Sequence, residues 1–359
     1  MVYESKKQEE IHKYILRKIT LDDQEFLSKT RDNFEISCEN VKEYIRDSIQ
    51  MGEIITSQKS GCGYELVERI QKLCINLKKE NMGEDQIFNM QIAPYLKECN
   101  KEAFRIWQYT CEEMLNNVID HSCGENIYIE VYTNALFSKV VIVDDGIGTF
   151  KTLLTYMQNH GWEKPRIEDA LLELYKGKIT SMEECHSGEG IFFSSKMVDS
   201  YVLWSDSQMY VHGSSREAKV IKSHLLAYAS RINKIGTMVC MSLENETNRK
   251  IKEIFDMYTD VEEGFIRTRI PVKEACINGE PVARSQARRI CNRLDQFKEV
   301  IFDFSNVEFM GQGFADEVFR VYAVKNPQIL LRPINMIPQV RRMIQHIGRG
   351  MLAENVKIS

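Results

Sequence analysis

The run from residue 103 to residue 148 restricts the fold more than any other part of the chain. Set on a helix, residues 103–121 put Phe104, Trp107, Cys111, Met114, Leu115 and Val118 on one broad apolar face. Glu113, Asn117 and Asp120 form a narrow polar stripe on the other side. The next segment, NIYIEVYTNALFSKVVIVDDGIGTF, alternates at Ile127, Ile129 and Val131, turns near Asn134, and runs through VVIV into Asp144. An Asp at a strand end, followed by Gly146 and Gly148, suits a ligand that meets the backbone closely. The middle region therefore mixes helices with strands, and a ligand belongs where the hairpin ends.

Rival readings of that glycine pair fail on single residues. A calcium loop starting at Asp144 needs Glu at its twelfth position, where Thr155 stands. A dinucleotide fingerprint needs a third glycine where Lys151 stands, and no G-x-x-x-x-G-K-[ST] occurs. About 40 residues further on, HSGEGIFFSSKMVD sets Gly188, Glu189 and Gly190 before an apolar run that reads as helix. Glycines at a helix start leave backbone N–H groups free to face an anion, and the helix dipole favours negative charge there.

Together, E-x-x-x-N, D-x-G-x-G and G-x-G resemble the N, G1 and G2 boxes of the GHKL ATPase superfamily, which includes histidine kinases, gyrase, Hsp90 and the anti-sigma-factor kinases. The resemblance covers roughly residues 75–245 and implies a Bergerat α/β sandwich that binds ATP with Mg²⁺. It implies that Glu113 is the general base and Asn117 the Mg²⁺ ligand. Asp144 would accept from the adenine amino group, with Gly146 and Gly148 allowing close approach. Gly188, Glu189 and Gly190 would face the phosphates after a lid, LYKGKITSMEECHS, in which Lys176, Lys178 and Thr180 are candidates for the γ-phosphate. Glu rather than Asn at position 113 favours hydrolysis or Ser/Thr phosphorylation over His phosphorylation.

Residues 1–70 read as three helices and a hairpin, resembling a winged helix-turn-helix domain. Ile11, Ile15, Leu16 and Ile19 share a helical spacing, Leu27 and Phe34 are core candidates, and Ser37 is a cap for a helix carrying Val41, Tyr44, Ile45 and Ile49. The unit holds 11 Lys and Arg against 14 Asp and Glu, a balance that disfavours phosphate contacts. Protein docking or dimerisation is the preferred reading there, with DNA binding through Lys42 and Arg46 as its rival. Residues 70–98 read as mostly helical, and 246–261 as a linker helix.

Residues 262–359 read as a mixed α/β unit. FDFSNVEFMGQGFADEVF and the ARSQARR helix look like the STAS-like family DUF4325. Anti-sigma kinases phosphorylate a separate STAS protein on a Ser at the start of such a helix. Here Gly311, Gln312 and Gly313 hold that place, and Ser305 is the nearest hydroxyl.

The whole chain is thus expected to be α/β and multidomain: a winged helix-like unit at 1–70, a GHKL domain at 71–245, a linker, and a STAS-like domain at 262–359. The absence of an apolar run long enough to span a bilayer, the charged N-terminus and ten cysteines without a C-x-x-C pair point to the cytoplasm. A net charge of −5 gives no overall field for nucleic acid. The expected function is an ATP- and Mg²⁺-dependent regulatory switch with slow hydrolysis, working as a homodimer and on a protein partner. A Ser/Thr kinase and an ATP-controlled transcription regulator are the alternatives.

Overall fold

A computed structural model describes residues 2–80, 82–179, 189–213, 234–276, 279–347 and 352–358. The N-terminal unit has α1 (Val2–Thr20), α2 (Phe26–Phe34) and α3 (Cys38–Gln50), then an antiparallel hairpin of β1 (Ile54–Thr56) and β2 (Tyr64–Leu66). Ser37 caps α3: its side chain accepts from the Asn40 N–H, and Asn40 answers back to the Ser37 backbone. Ile11, Ile15, Leu16, Ile19, Val41, Ile45 and Ile54 close the core as their periodicity requires. Phe26, not Leu27, is the aromatic anchor of α2; Leu27 and Ile49 face solvent.

β3 (Arg69–Asn76) corrects the helical expectation for residues 70–98. It pairs along its whole length with β4 (Asn126–Thr133); beyond it the expectation holds, with a helical turn at Leu77–Glu80 and an unbroken helical run over residues 84–95. Its half-polar sequence, RIQKLCIN, is that of an edge strand with one buried face, a signal that short-window reading easily loses. The long helix α4 (Lys101–His121) is capped by Asn100, whose side chain accepts from the Ala103 N–H and donates to the Thr247 carbonyl. β4 and β5 (Phe137–Asp144) form the expected hairpin, with the Asn134 side chain accepting the Leu136 and Phe137 N–H groups at the turn.

Six antiparallel strands make one sheet in the order β3-β4-β5-β8-β6-β7, where β6 is Ser200–Ser205, β7 Gln208–Gly213 and β8 Thr237–Glu244. Helices α4, α5 (Thr149–Asn159), α6 (Ile167–Lys176) and α7 (Gly190–Met197) layer one face around Trp107, Leu115, Phe150 and Phe192. Each such burial stabilises by about 1.5–3 kcal/mol. The expected linker is helix α8 (Ile251–Tyr258), which packs Phe255 and Tyr258 into that layer.

The C-terminal unit is a parallel sheet, β9 (Arg267–Pro271), β10 (Glu299–Asp303) and β11 (Leu330–Ile334), with helices α9 (Arg284–Cys291), α10 (Gln312–Asp316) and α11 (Pro338–Ile347). Ala287, Ile290, Cys291 and Leu294 point inward as expected. Its core is continuous with the helical layer of the central unit. No described helix is long and apolar enough to cross a membrane.

Candidate functional site

A cavity of about 290 Å³ opens between α4 and the strand ends, and Glu113, Asn117, Asp144, Gly148 and Gly190 meet there. Its wall on α4 is Glu113, Asn116, Asn117 and His121. The strands supply Ile142, Asp144, Leu203 and Val239, and the start of α5 supplies Gly148, Thr149 and Thr152. Ile179, Gly190 and Ile191 close the far side. The lining mixes apolar side chains with two carboxyls, Glu113 and Asp144, and meets the start of a helix at Gly190.

Asp144 is buried at the end of β5. Its Oδ1 accepts the Gly146 N–H at 2.8 Å and its Oδ2 the Thr237 N–H at 3.2 Å. Burial pushes its pKa to about 6 in spite of those bonds. The cavity therefore holds a carboxyl whose ionisation falls near neutrality. Gly146 does not line the cavity. A Cβ there would run into the Ser122 carbonyl, which accepts the Ile147 N–H at 2.8 Å, so this glycine lets the loop close on the end of α4. Gly148 has φ +106° and a Cβ would crowd Asp206 and Ser205, which makes glycine obligatory at the head of α5.

Asn117 Nδ2 is buried with no hydrogen-bond partner. A buried amide left so costs about 1–3 kcal/mol, and Asn117 lines the cavity. Glu113 stands one turn earlier on α4, over Gly190 at the head of α7, where a Cβ would overlap its carboxylate. Tyr109, a further turn back, has its hydroxyl pKa raised by burial and by the charges of Glu113 and Glu189. Glu189 is the residue before α7; burial raises its pKa and Lys178 opposes the shift.

Thr180 and Gly188, with His186, lie outside the described residues. The other two lid candidates for a phosphate are engaged elsewhere. Lys176 is fully buried and donates to Glu173 at 2.6 Å and to the Asn292 carbonyl at 2.5 Å. Lys178 donates to the Gln296 carbonyl at 3.1 Å, over the rings of Phe297 and Phe265. Their spacing in the sequence looks like a solvated, cationic lid; the C-terminal unit packed against them is what it hides.

Asn116, which stands off the polar stripe, lines the cavity, whereas Asp120 of that stripe is exposed. Thr149 and Thr237 were missed. Their hydroxyls meet at 2.9 Å and tie the head of α5 to β8. Thr237 has no local motif; only the pairing of β5 with β8 brings it beside Asp144.

Residues 286–341 match the family described as STAS-like domain of unknown function (DUF4325). The C-terminal unit is therefore STAS-like. No curated protein matches the chain. At the start of its helix α10, Gly311 is the cap residue, closely packed against the Val282 carbonyl. The Ser305 hydroxyl donates to Asp303 at 2.7 Å in the turn after β10.

Proposed function

We propose that the chain is an ATP-binding regulatory protein of GHKL type, in which nucleotide state controls how the flanking units dock on the central one or on a partner. One observation carries the reading: Glu113, Asn117, Asp144, Gly148 and Gly190, widely separated in sequence, line a single cavity. Its chemistry agrees with ATP. Asp144 is a buried acceptor for the adenine amino group, and Ile142, Leu203 and Val239 offer apolar surface to the ring. The N–H groups at the head of α7 favour phosphate. The buried, unpartnered Asn117 Nδ2 is a donor that a phosphate oxygen would satisfy, which leaves Oδ1 free for a metal. Mg²⁺ there would neutralise phosphate charge, with Asn117 as its protein ligand. Glu113 would orient a water or a hydroxyl and take its proton.

The flanking units are attached in ways that favour a switch. The β4–β5 turn inserts Ala135 and Leu136 against the N-terminal core, and Arg17 pairs with Glu244 at 2.9 Å. On α3, Arg46 is paired with Glu39 at 3.2 Å and Lys42 lies 4.0 Å from the same carboxylate. A winged helix-like unit with its cations so occupied is better suited to protein docking than to DNA.

Calorimetric titration with ATP, with and without Mg²⁺, tests the reading. Binding to the wild-type chain that is lost in Asp144→Ala is expected. No binding, or equal binding by the variant, would overturn it. With γ-labelled ATP, label released as free phosphate is expected, whereas label on protein would turn the reading to a kinase.

A further inference from the structure

Two parts of the cavity wall, Ile179 and Gly190–Ile191, are both held from outside by the C-terminal unit. Upstream of Ile179, the Lys176 carbonyl accepts the Thr268 hydroxyl at 2.8 Å inside the protein, and the Lys176 and Lys178 ammonium groups donate to the carbonyls of Asn292 and Gln296. Between the two lysines, Gly177 has φ +90° and lies so close to Phe192 that a Cβ would meet its ring. Downstream, Phe192 and Phe193 of α7 pack on Phe265 with ring centroids 4.8 and 5.3 Å apart. Lys178 sits 5.4 Å over the same Phe265 ring. Phe265 and Thr268 thus fix the segment before the cavity wall and the helix after it as one body.

We propose that Thr268 and Phe265 are positioning residues for the nucleotide cavity, so that its affinity is set by how the STAS-like unit is docked. The proposal rests on the nucleotide reading for its consequence but not for its geometry. None of the named seam groups lines the cavity. Losing the Thr268 bond frees the Lys176 carbonyl and lets the turn at Gly177 shift, which moves Ile179 relative to Gly190. Coupling of this kind is reciprocal. Nucleotide in the cavity stiffens the seam, and a protein partner that grips the stretch from Asn292 to Phe297 changes nucleotide affinity without touching the cavity.

The test uses the full chain as wild type, Thr268→Val, Thr268→Ser, Phe265→Leu and Lys178→Met. Two quantities are read: amide hydrogen exchange at residues 177–179 and 190–193 without nucleotide, and the Kd for ATP with Mg²⁺. Thr268→Val, Phe265→Leu and Lys178→Met are expected to speed exchange at both places and to raise Kd by about five- to twentyfold, within the usual range of site coupling. Thr268→Ser, which keeps the hydroxyl, is expected to behave as wild type. Exchange at Ile179 and Ile191 unchanged in all three seam variants overturns the positioning role. So does faster exchange with unchanged Kd. If the wild-type chain takes up no nucleotide, the nucleotide reading falls, and the exchange measurement still decides the positioning role. Thermal midpoints close to wild type for Thr268→Ser and Lys178→Met guard against a mere loss of folding.

Discussion

The carboxylate of Glu113 lies over the backbone of Gly190, so closely that any Cβ at 190 would overlap its Oε2. This contact joins the middle of α4 to the head of α7 and makes the geometry of the proposed base depend on a glycine. Gly190→Ala should cost the fold little, since only the flexible end of Glu113 must give and Ala suits a helix better than Gly by about 1 kcal/mol. The site should suffer. Phosphate release is expected to fall by about a hundredfold, the lower end of what a general base contributes. In a Glu113→Gln background the same change should add almost nothing, because both act on one group. Wild-type turnover in Gly190→Ala would mean that Glu113 is not the base.

Asp144 predicts a pH dependence with a definite sign. Burial lifts its pKa from 3.8 in the unfolded chain to about 6. A carboxyl raised in this way adds stability that is complete below the unfolded value and is lost as pH rises through about 6. Ligand binding runs the other way, because the ionised form is the stronger acceptor for an amino group. Adenosine, which carries no titrating phosphate, should bind most tightly above pH 6. Below that its affinity should fall by up to about tenfold per pH unit, since each pKa unit is worth about 1.4 kcal/mol. Calorimetry between pH 5 and 8 checks this, and a flat profile would remove Asp144 from contact with the base.

Periodicity made α4, the β4–β5 hairpin and the C-terminal strands legible, because each buries one face at a fixed spacing. Asp144, Gly148 and Gly190 were legible for a related reason: a carboxyl at a strand end and glycines at a helix head are local requirements. What escaped was non-local. β3 shows its strand character only when β4 lies beside it. Thr237 reaches Asp144 through sheet register, and Asn116 reaches the cavity because the polar side of α4 is wider than one stripe. Lys176 and Lys178 read as phosphate ligands until the C-terminal carbonyls that hold them are known. A sequence window contains the residue but not the surface that covers it.

The turn at Leu136 should govern attachment of the N-terminal unit. Leu136 packs on that unit's core, while its own N–H is held by Asn134, so the turn survives a change of side chain. Leu136→Asp is expected to weaken docking by about 1–3 kcal/mol, the range for a charge set against an apolar contact. Arg17→Ala should matter much less, because exposed ion pairs contribute about 0–1 kcal/mol. Scanning calorimetry should show one transition split into two for Leu136→Asp alone. A single unchanged transition would mean that the units are held by something other than this turn.

Lys196 of the central unit lies within the electrostatic reach of Arg269 and Asp303 of the C-terminal unit, and the charges of Lys196 and Asp303 predict opposing effects. Asp303 Oδ2 takes two bonds from Arg269, at 2.6 and 3.0 Å, and Oδ1 takes bonds from Ser305 and Asn335. Burial would raise its pKa, but these partners outweigh burial and hold it low. Lys196 is buried with its Nζ 3.3 Å from His212 Nδ1. Burial first, and then Arg269, pull its pKa from 10.5 to about 7, with Asp303 and Glu274 opposing. Between those values the unfolded chain binds more protons, so stability should rise with pH across the window. Lys196→Met should flatten that rise between pH 7 and 9 and stabilise the chain at pH 6.5 by about 1–3 kcal/mol, an order-of-magnitude figure from the size of the shift. Asp303→Ala takes the carboxylate from Arg269, whose side chain is 37% exposed, and should cost about 1–3 kcal/mol. Combining the two changes should recover part of that loss, since the repulsion between Arg269 and Lys196 is then gone. Urea midpoints for the four proteins at pH 6.5 and 9 check the cycle, and strictly additive changes would mean that Lys196 and Asp303 do not sense one another.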